Sequence, residues 1–187
     1  TVMDIDNSLP PCDVDAEAAV LGSILIDPDV YYEVAEALTP AMFYRPGHRW
    51  LFQAIRDLNE RSEATDLLTI GAELTRAGKL EEAGGMEYLI YLLNVPVTSM
   101  NAEYYAGIVA EKAARRRLIL AAGSVARLAY NEATPIDDVM AGAEAAVIEA
   151  NAAAQRGTVI APRRFMSDYV DGFLSDIASG PDTNRVI

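Results

Sequence analysis

From residue 101 to residue 154 the chain reads NAEYYAGIVAEKAARRRLILAAGSVARLAYNEATPIDDVMAGAEAAVIEANAAA. No proline falls between Asn101 and Asn131, and alanine, the strongest helix former, recurs throughout. The stretch predicts a helix of about 30 residues, near 45 Å long at about 1.5 Å per residue. Thr134-Pro135 then opens a second long helix, from Ile136 to about Ala154, and Asp137 completes a capping-box-like Thr-x-x-Asp. Leu118, Ala122, Val125 and Ala129 share one face of the first helix. Ile136, Val139, Met140, Ala143 and Val147 share one face of the second. Two long helices joined by a few residues lie antiparallel, and their small side chains let the backbones come close. A two-helix hairpin cannot bury both of its faces. The nine residues named are therefore the candidate surface on which the hairpin meets a second copy of the chain. The alternative is that the hairpin completes a larger bundle within one subunit.

Upstream, residues 13–100 read as a globular helical domain behind a polar lead, residues 1–12. Asp13 can cap a first helix, with Asp15 and Glu17 at the positive end of its dipole and Ala16, Val20, Leu21, Ile24 and Leu25 as its stripe. Asp27-Pro28 opens a second helix, through Val30, Tyr31, Val34, Ala37 and Leu38, which Thr39-Pro40 breaks. Arg45-Pro46-Gly47 opens a third with Trp50, Leu51, Ala54, Ile55 and Leu58 inward. Asp66 caps a fourth, through Leu67, Ile70 and Leu74, which ends at Gly78. Gly84-Gly85 turns into a short fifth helix, and Pro96 ends it.

Downstream, residues 156–164 read as a linker. Residues 165–178 form a last amphipathic helix, with Phe165, Met166, Tyr169, Val170, Phe173, Leu174 and Ile177 on one face. About 15 residues make a marginal helix alone in water, so this one is expected to dock into a groove or fold back on its own domain. Residues 179–187 carry no closing element, as expected of a connection to something further. The fold class is thus all-α: a compact helical domain, a long antiparallel hairpin and a separate C-terminal helix.

The 187 residues carry 28 acids against 15 bases, a net charge of −13. Nine acids and no Lys or Arg lie between Thr1 and Tyr44, while Lys112, Arg115, Arg116 and Arg117 cluster later. So acidic a chain gains little from phosphate contacts, which argues against nucleic acid as its main ligand. Three consecutive arginines on a helix point three ways and form no flat phosphate-binding face. Pairing with the acidic front of the chain is their expected use. The single cysteine, Cys12, excludes an internal disulfide and a cysteine zinc cage. No apolar run is long enough to span a bilayer. An intracellular, cytoplasmic location is the expectation.

No G-x-x-x-x-G-K-[ST] phosphate loop occurs, so neither ATP nor Mg²⁺ has a site in this sequence. His48, the only histidine, has no metal-ligand spacing around it and is expected to be structural. Asp13, Asp15 and Glu17 are read as capping and dipole residues rather than a carboxylate site. No catalytic, cofactor or metal residue is assigned.

The motif order resembles the N-terminal region of DnaB-type replicative helicases. PCDVDAEAAVLGSILID, residues 11–27, is similar to that family's P-x-x-x-E-A-E-x-x-V-L-G-x-x-L-x-D, with Asp15 where glutamate is more usual. Phe43-Tyr44 with His48 and Phe52 fits F-Y-x-x-x-H-x-x-x-F. Asp66-Leu67-Leu68-Thr69, Gly84 to Leu89, Pro96, Asn101, Tyr105 to Val109, Glu111 and Arg117-Leu118-Ile119 follow in order. The resemblance implies a hexameric ring in which these domains form a collar and their hairpins pair between subunits. The 165–177 helix would dock on the neighbouring subunit's motor, and the collar would dock primase and a helicase loader. ATP and Mg²⁺ would serve a RecA-like motor domain absent from this sequence. Two other readings compete: a monomeric helical adaptor binding one partner through the 165–177 helix, and a hydrolase using Asp13, Asp15 or Glu17.

Overall fold

A computed structural model describes residues 9–95 and 101–155. Among these residues there are seven α-helices and no strand: α1 (Val14–Ile26), α2 (Val30–Val34), α3 (Pro46–Glu60), α4 (Leu67–Arg76), α5 (Gly85–Leu93), α6 (Ala102–Tyr130) and α7 (Ile136–Gln155). The all-α class is as the sequence implied. The linker (156–164), the helix at 165–178 and the tail at 179–187 lie outside the described residues, as does most of the lead.

α1 starts where a short polar acceptor can take an orphan amide: the Asp13 carboxylate accepts from the Ala16 N–H at 2.9 Å. Every residue from Ala16 to Leu25 is buried, so α1 is covered all round rather than along one stripe. Small residues make this possible, since Ala18, Ala19 and Gly22 let α2, α3, α5 and α6 all approach it. The core centres on Leu21, Ile24, Phe43, Leu51, Phe52, Ile55, Leu58, Ile70, Leu74, Leu89 and Leu92.

α2 is shorter than expected. It is α-helical only over Val30–Val34, and the chain then turns through Ala37 and Leu38, both buried, into extended Thr39. The physical reason is Pro40, whose ring disfavours helical dihedrals at the residue before it. A single 3₁₀ turn, Pro40–Met42, follows. α3 begins with Pro46 at its first position, as its sequence demands. Trp50, expected inward, instead lies at the surface, 36% exposed. It sits about 100° round from Leu51, on the flank of the buried line. Its Nε1 donates to Glu82 at 3.0 Å, and the Lys79 ammonium lies 4.6 Å from its ring centre. Gly47 allows the turn before α5 to press on α3: a Cβ there would stand 2.8 Å from the Glu82 carbonyl oxygen.

α6 has two roles. Ala102, Ala106, Val109 and Ala113 are buried in the same core as α1. From Leu118 onward Leu118, Ile119, Leu120 and Tyr130 are exposed, and α7 packs back along the helix. The expected division at residue 101 falls at the start of α6, but the helix's first three turns belong to the globular core and its remainder is the arm.

Candidate assembly surface

The nine hairpin residues divide by what α7 and α6 bury against each other. Val139 is buried in the seam, and Val125 and Ala143 are half-buried along it. Leu118, Ala122, Ala129, Ile136, Met140 and Val147 are exposed. The seam is tight near the tip, where a Cβ on Gly142 would stand 2.9 Å from Leu128 Cδ1. Leu128 and Ala121 thus mark the inward direction of α6, and Val139, Ala146 and Ala150 that of α7. On each helix the exposed stripe lies about 80–90° round from that direction, in the same rotational sense. In an antiparallel pair the same sense of rotation brings both stripes to one broad side. That side of the hairpin presents Leu118, Ala122 and Ala129 beside Ile136, Met140 and Val147, with Ile136 70% exposed.

Exposure extends further than the two expected stripes. Ile119, Leu120, Tyr130 and Ile148 are also open to solvent. The signal for them was in the sequence: three consecutive apolar residues, Leu118-Ile119-Leu120, point in three directions on a helix and cannot all enter one seam. Phe165, Met166, Tyr169, Val170, Phe173, Leu174 and Ile177, the expected docking face of the last helix, fall outside the described residues.

A buried polar cluster at the root of the hairpin was not foreseen. Glu17, expected only to favour the α1 dipole, is 1% exposed, and its carboxylate accepts from three donors. These are the Tyr44 N–H at 2.5 Å, the Arg45 N–H at 3.3 Å and the His48 Nδ1–H at 2.8 Å. The other ring nitrogen of His48 bonds the Tyr88 hydroxyl at 2.6 Å. Burial raises the Tyr88 pKa, against the pull of the Arg45 guanidinium, whose carbon lies 4.6 Å from the ring centre. His48 is structural, as its lack of ligand spacing implied. What sequence spacing could not show is that its partner stands 31 residues away.

The three arginines do go three ways. Arg115 pairs with Glu111 one turn back, at 2.7 Å on the exposed side. Arg116 turns to the front of the chain, donating to the backbone carbonyls of Pro11 and Met42. The Arg117 Nε is buried without a hydrogen-bond partner, and burial lowers the pKa of this side chain. Only Arg116 does what charge alone suggested, and it meets the acidic front mainly through carbonyl oxygens.

With this geometry in place, residues 9–111 match the DnaB-like helicase N-terminal domain. The chain belongs to that family. Among relatives of this DnaB-type chain are the replicative DNA helicase DnaC of Bacillus subtilis (strain 168), 39% identical over 145 residues, and the replicative DNA helicase DnaB of Geobacillus stearothermophilus, 40% identical over 141. These alignments cover 78% and 75% of this chain but 32% and 31% of the relatives, so the chain spans about a third of their length. The fold is similar to the crystal structure of the DnaB N-terminal domain from Mycobacterium tuberculosis. That comparison gives a TM-score of 0.72 at 42% identity and covers 75% of this chain and 99% of that one. A DnaB-like replicative helicase described with its interactions with primase matches at a TM-score of 0.61 and 27% identity, over 75% of this chain and 31% of that one. No helix among the described residues of the DnaB-type chain is long and apolar enough to cross a membrane.

Proposed function

We propose that this DnaB-type chain is the collar of a cytoplasmic replicative DNA helicase, assembling with copies of itself, six to a ring, and docking primase and a loader during replication. The observation that carries the reading is the apolar side of the hairpin. Six exposed residues from two helices lie on it, and nothing among the described residues covers them. Contiguous exposed apolar area of this kind marks a protein-binding face. Relatives that are replicative helicases make another copy of the same chain the natural cover. A structural relative described with its interactions with primase supports primase as the second partner.

The division of labour follows from chemistry. The sequence has no phosphate loop, so ATP and Mg²⁺ would be handled by a motor domain to which Phe165, Met166, Tyr169, Val170, Phe173, Leu174 and Ile177 dock. A net charge of −13 leaves little room for direct DNA binding by this part. The test is the solution mass of the chain at tens of micromolar, by light scattering. A mass of two or more chains that falls on dilution is expected. A monomer at every concentration would sink the assembly reading and leave the adaptor reading, in which removal of residues 165–177 abolishes partner binding while the rest stays folded.

A further inference from the structure

The hairpin is a rod held at one end. The fully buried contacts of α6 with the globular core are Ala102, Ala106, Val109 and Ala113, three of them alanines, flanked by the partly buried Tyr105, Ile108 and Ala110. Alanines permit close approach but give few side-chain knobs to fix an angle between packed helices. Past Ala113 the next side chain of α6 to reach the globular part is Arg116; the Arg117 Nε beside it is also buried, and Leu118, Ile119 and Leu120 beyond are exposed. Arg116 therefore sits at the outer edge of the contact, where a strut has the greatest leverage over tilt.

Its bonds fit that position. Nη1 donates to the Pro11 carbonyl at 2.7 Å, and Nη2 donates to the Met42 carbonyl. One guanidinium thus ties α6 both to the segment entering α1 and to the 3₁₀ turn before α3. Its carbon lies 5.6 Å from the Tyr44 ring centre, and the Tyr44 N–H is held in turn by buried Glu17. Burial lowers the Arg116 pKa and the Glu17 carboxylate opposes that, so the charge is held in place by the same cluster.

We infer that Arg116 is the positioning residue that sets the angle between the hairpin and the globular domain, with the Glu17–Tyr44 contact as its anchor. Hydrophobic packing keeps the two parts together, and the guanidinium fork fixes their angle. About 21 residues separate Val109, near the middle of the α6 contact, from Tyr130 at the tip, a lever of roughly 32 Å on which a tilt of about 10° moves the tip by about 5 Å. Lysine, with a single ammonium in place of a planar fork, cannot bridge two carbonyls and stack in the same way.

The experiment is a pulsed electron–electron distance measurement on the full chain. Spin labels replace Glu33 on α2 and Glu132 at the hairpin tip, in a Cys12→Ala background diluted with unlabelled chain. With Arg116 present the distance distribution is narrow. Arg116→Ala shifts or broadens it by about 5 Å or more, and Arg116→Lys gives a smaller broadening, while circular dichroism reports unchanged helix content in both. A distribution that stays as narrow and centred in folded Arg116→Ala as with arginine overturns the inference. Should Arg116→Ala fail to fold, the lysine variant decides: a distribution identical to that of arginine overturns the inference equally.

Discussion

A carboxyl group with 1% of its surface exposed is costly to bury unless hydrogen bonds replace its water, and Glu17 has three such partners. Removing it strands the Tyr44 and Arg45 amides and the His48 Nδ1–H together. Glu17→Ala is expected to cost about 3–5 kcal/mol, in the range of a broken buried pair. Glu17→Gln keeps one acceptor oxygen and should cost about 1–3 kcal/mol. Urea unfolding followed by circular dichroism separates the two. Equal losses, or a loss under about 1 kcal/mol for alanine, would show that the cluster does not hold the fold. This site was half legible in the sequence. A lone histidine without ligand spacing reads as structural, and it is. The identity of its partner depends on α1 and α3 lying side by side, which no local pattern encodes. Trp50 failed for a related reason, since periodicity says which way a side chain points but not where the neighbouring element ends.

Thr134, expected to cap α7, instead accepts from the Asn131 side chain at 2.9 Å. At α1 and α4 the helix start was legible, because a cap is a local chemical event. Asp66 shows this fully: its carboxylate accepts from the Leu68 and Thr69 N–H groups, and the Thr69 hydroxyl accepts from the Asp66 N–H in return. Those bonds, that of Thr69 first, hold the Asp66 pKa below its ordinary value of 3.8. Glu73 on the same helix is likewise held below 4.5, by Arg76 first and then Arg61. The sign follows directly. Between the folded and unfolded values the unfolded chain binds more protons, so stability rises with pH there. The contribution is complete above the unfolded value and is lost as pH falls through the folded one. Asp66→Asn preserves a good cap, so thermal unfolding at neutral pH should change by no more than about 0.5 kcal/mol. In the acid range below pH of about 4 the variant should lose less stability than the parent, with the Glu73 part of the loss remaining. Parallel acid profiles for the two chains would refute the assignment. Where an element's end depends on a chemical stop the sequence also succeeds, as at Gly78, whose φ is +67°. It overran at α2, where apolar spacing continued to Leu38 but the residue before Pro40 could not stay helical.

The molecule joins a sealed core to an open arm, and this asymmetry bears most directly on function. Within the globular part the core residues Leu21, Ile24, Leu51, Ile70 and Leu89 are fully covered, although Ile26, Leu68, Ile90 and Tyr91 stay open at its surface. On the hairpin, Leu118, Ile136, Met140 and Val147 are all between 47% and 70% exposed. The sequence made the stripes legible through periodicity, but not which stripe residue the seam would consume. Val139 went inward because α7 needs its own contact line with α6, and that line lies less than a quarter-turn from the outer stripe. The residues left outside are the ones through which a second copy would bind. Ile136 and Met140 stand one turn apart on α7, both exposed, while the seam is made by Val139, Ala146 and Ala150 beside them. Replacing the exposed pair with charge should therefore leave the fold intact and remove the assembly. Each apolar side chain of this size gains about 1.5–3 kcal/mol on full burial, so an interface containing both residues twice, once from each copy, loses enough to dissociate at micromolar concentration. Ile136→Glu with Met140→Glu is thus expected to give a monomer by light scattering at concentrations where the parent chain is larger, with the same helix content. Val139→Glu is the control with the opposite signature, because a buried seam charge should lower helix content and stability. Should the Ile136/Met140 variant retain the parent's mass, the apolar side of the hairpin is not where copies of this chain meet.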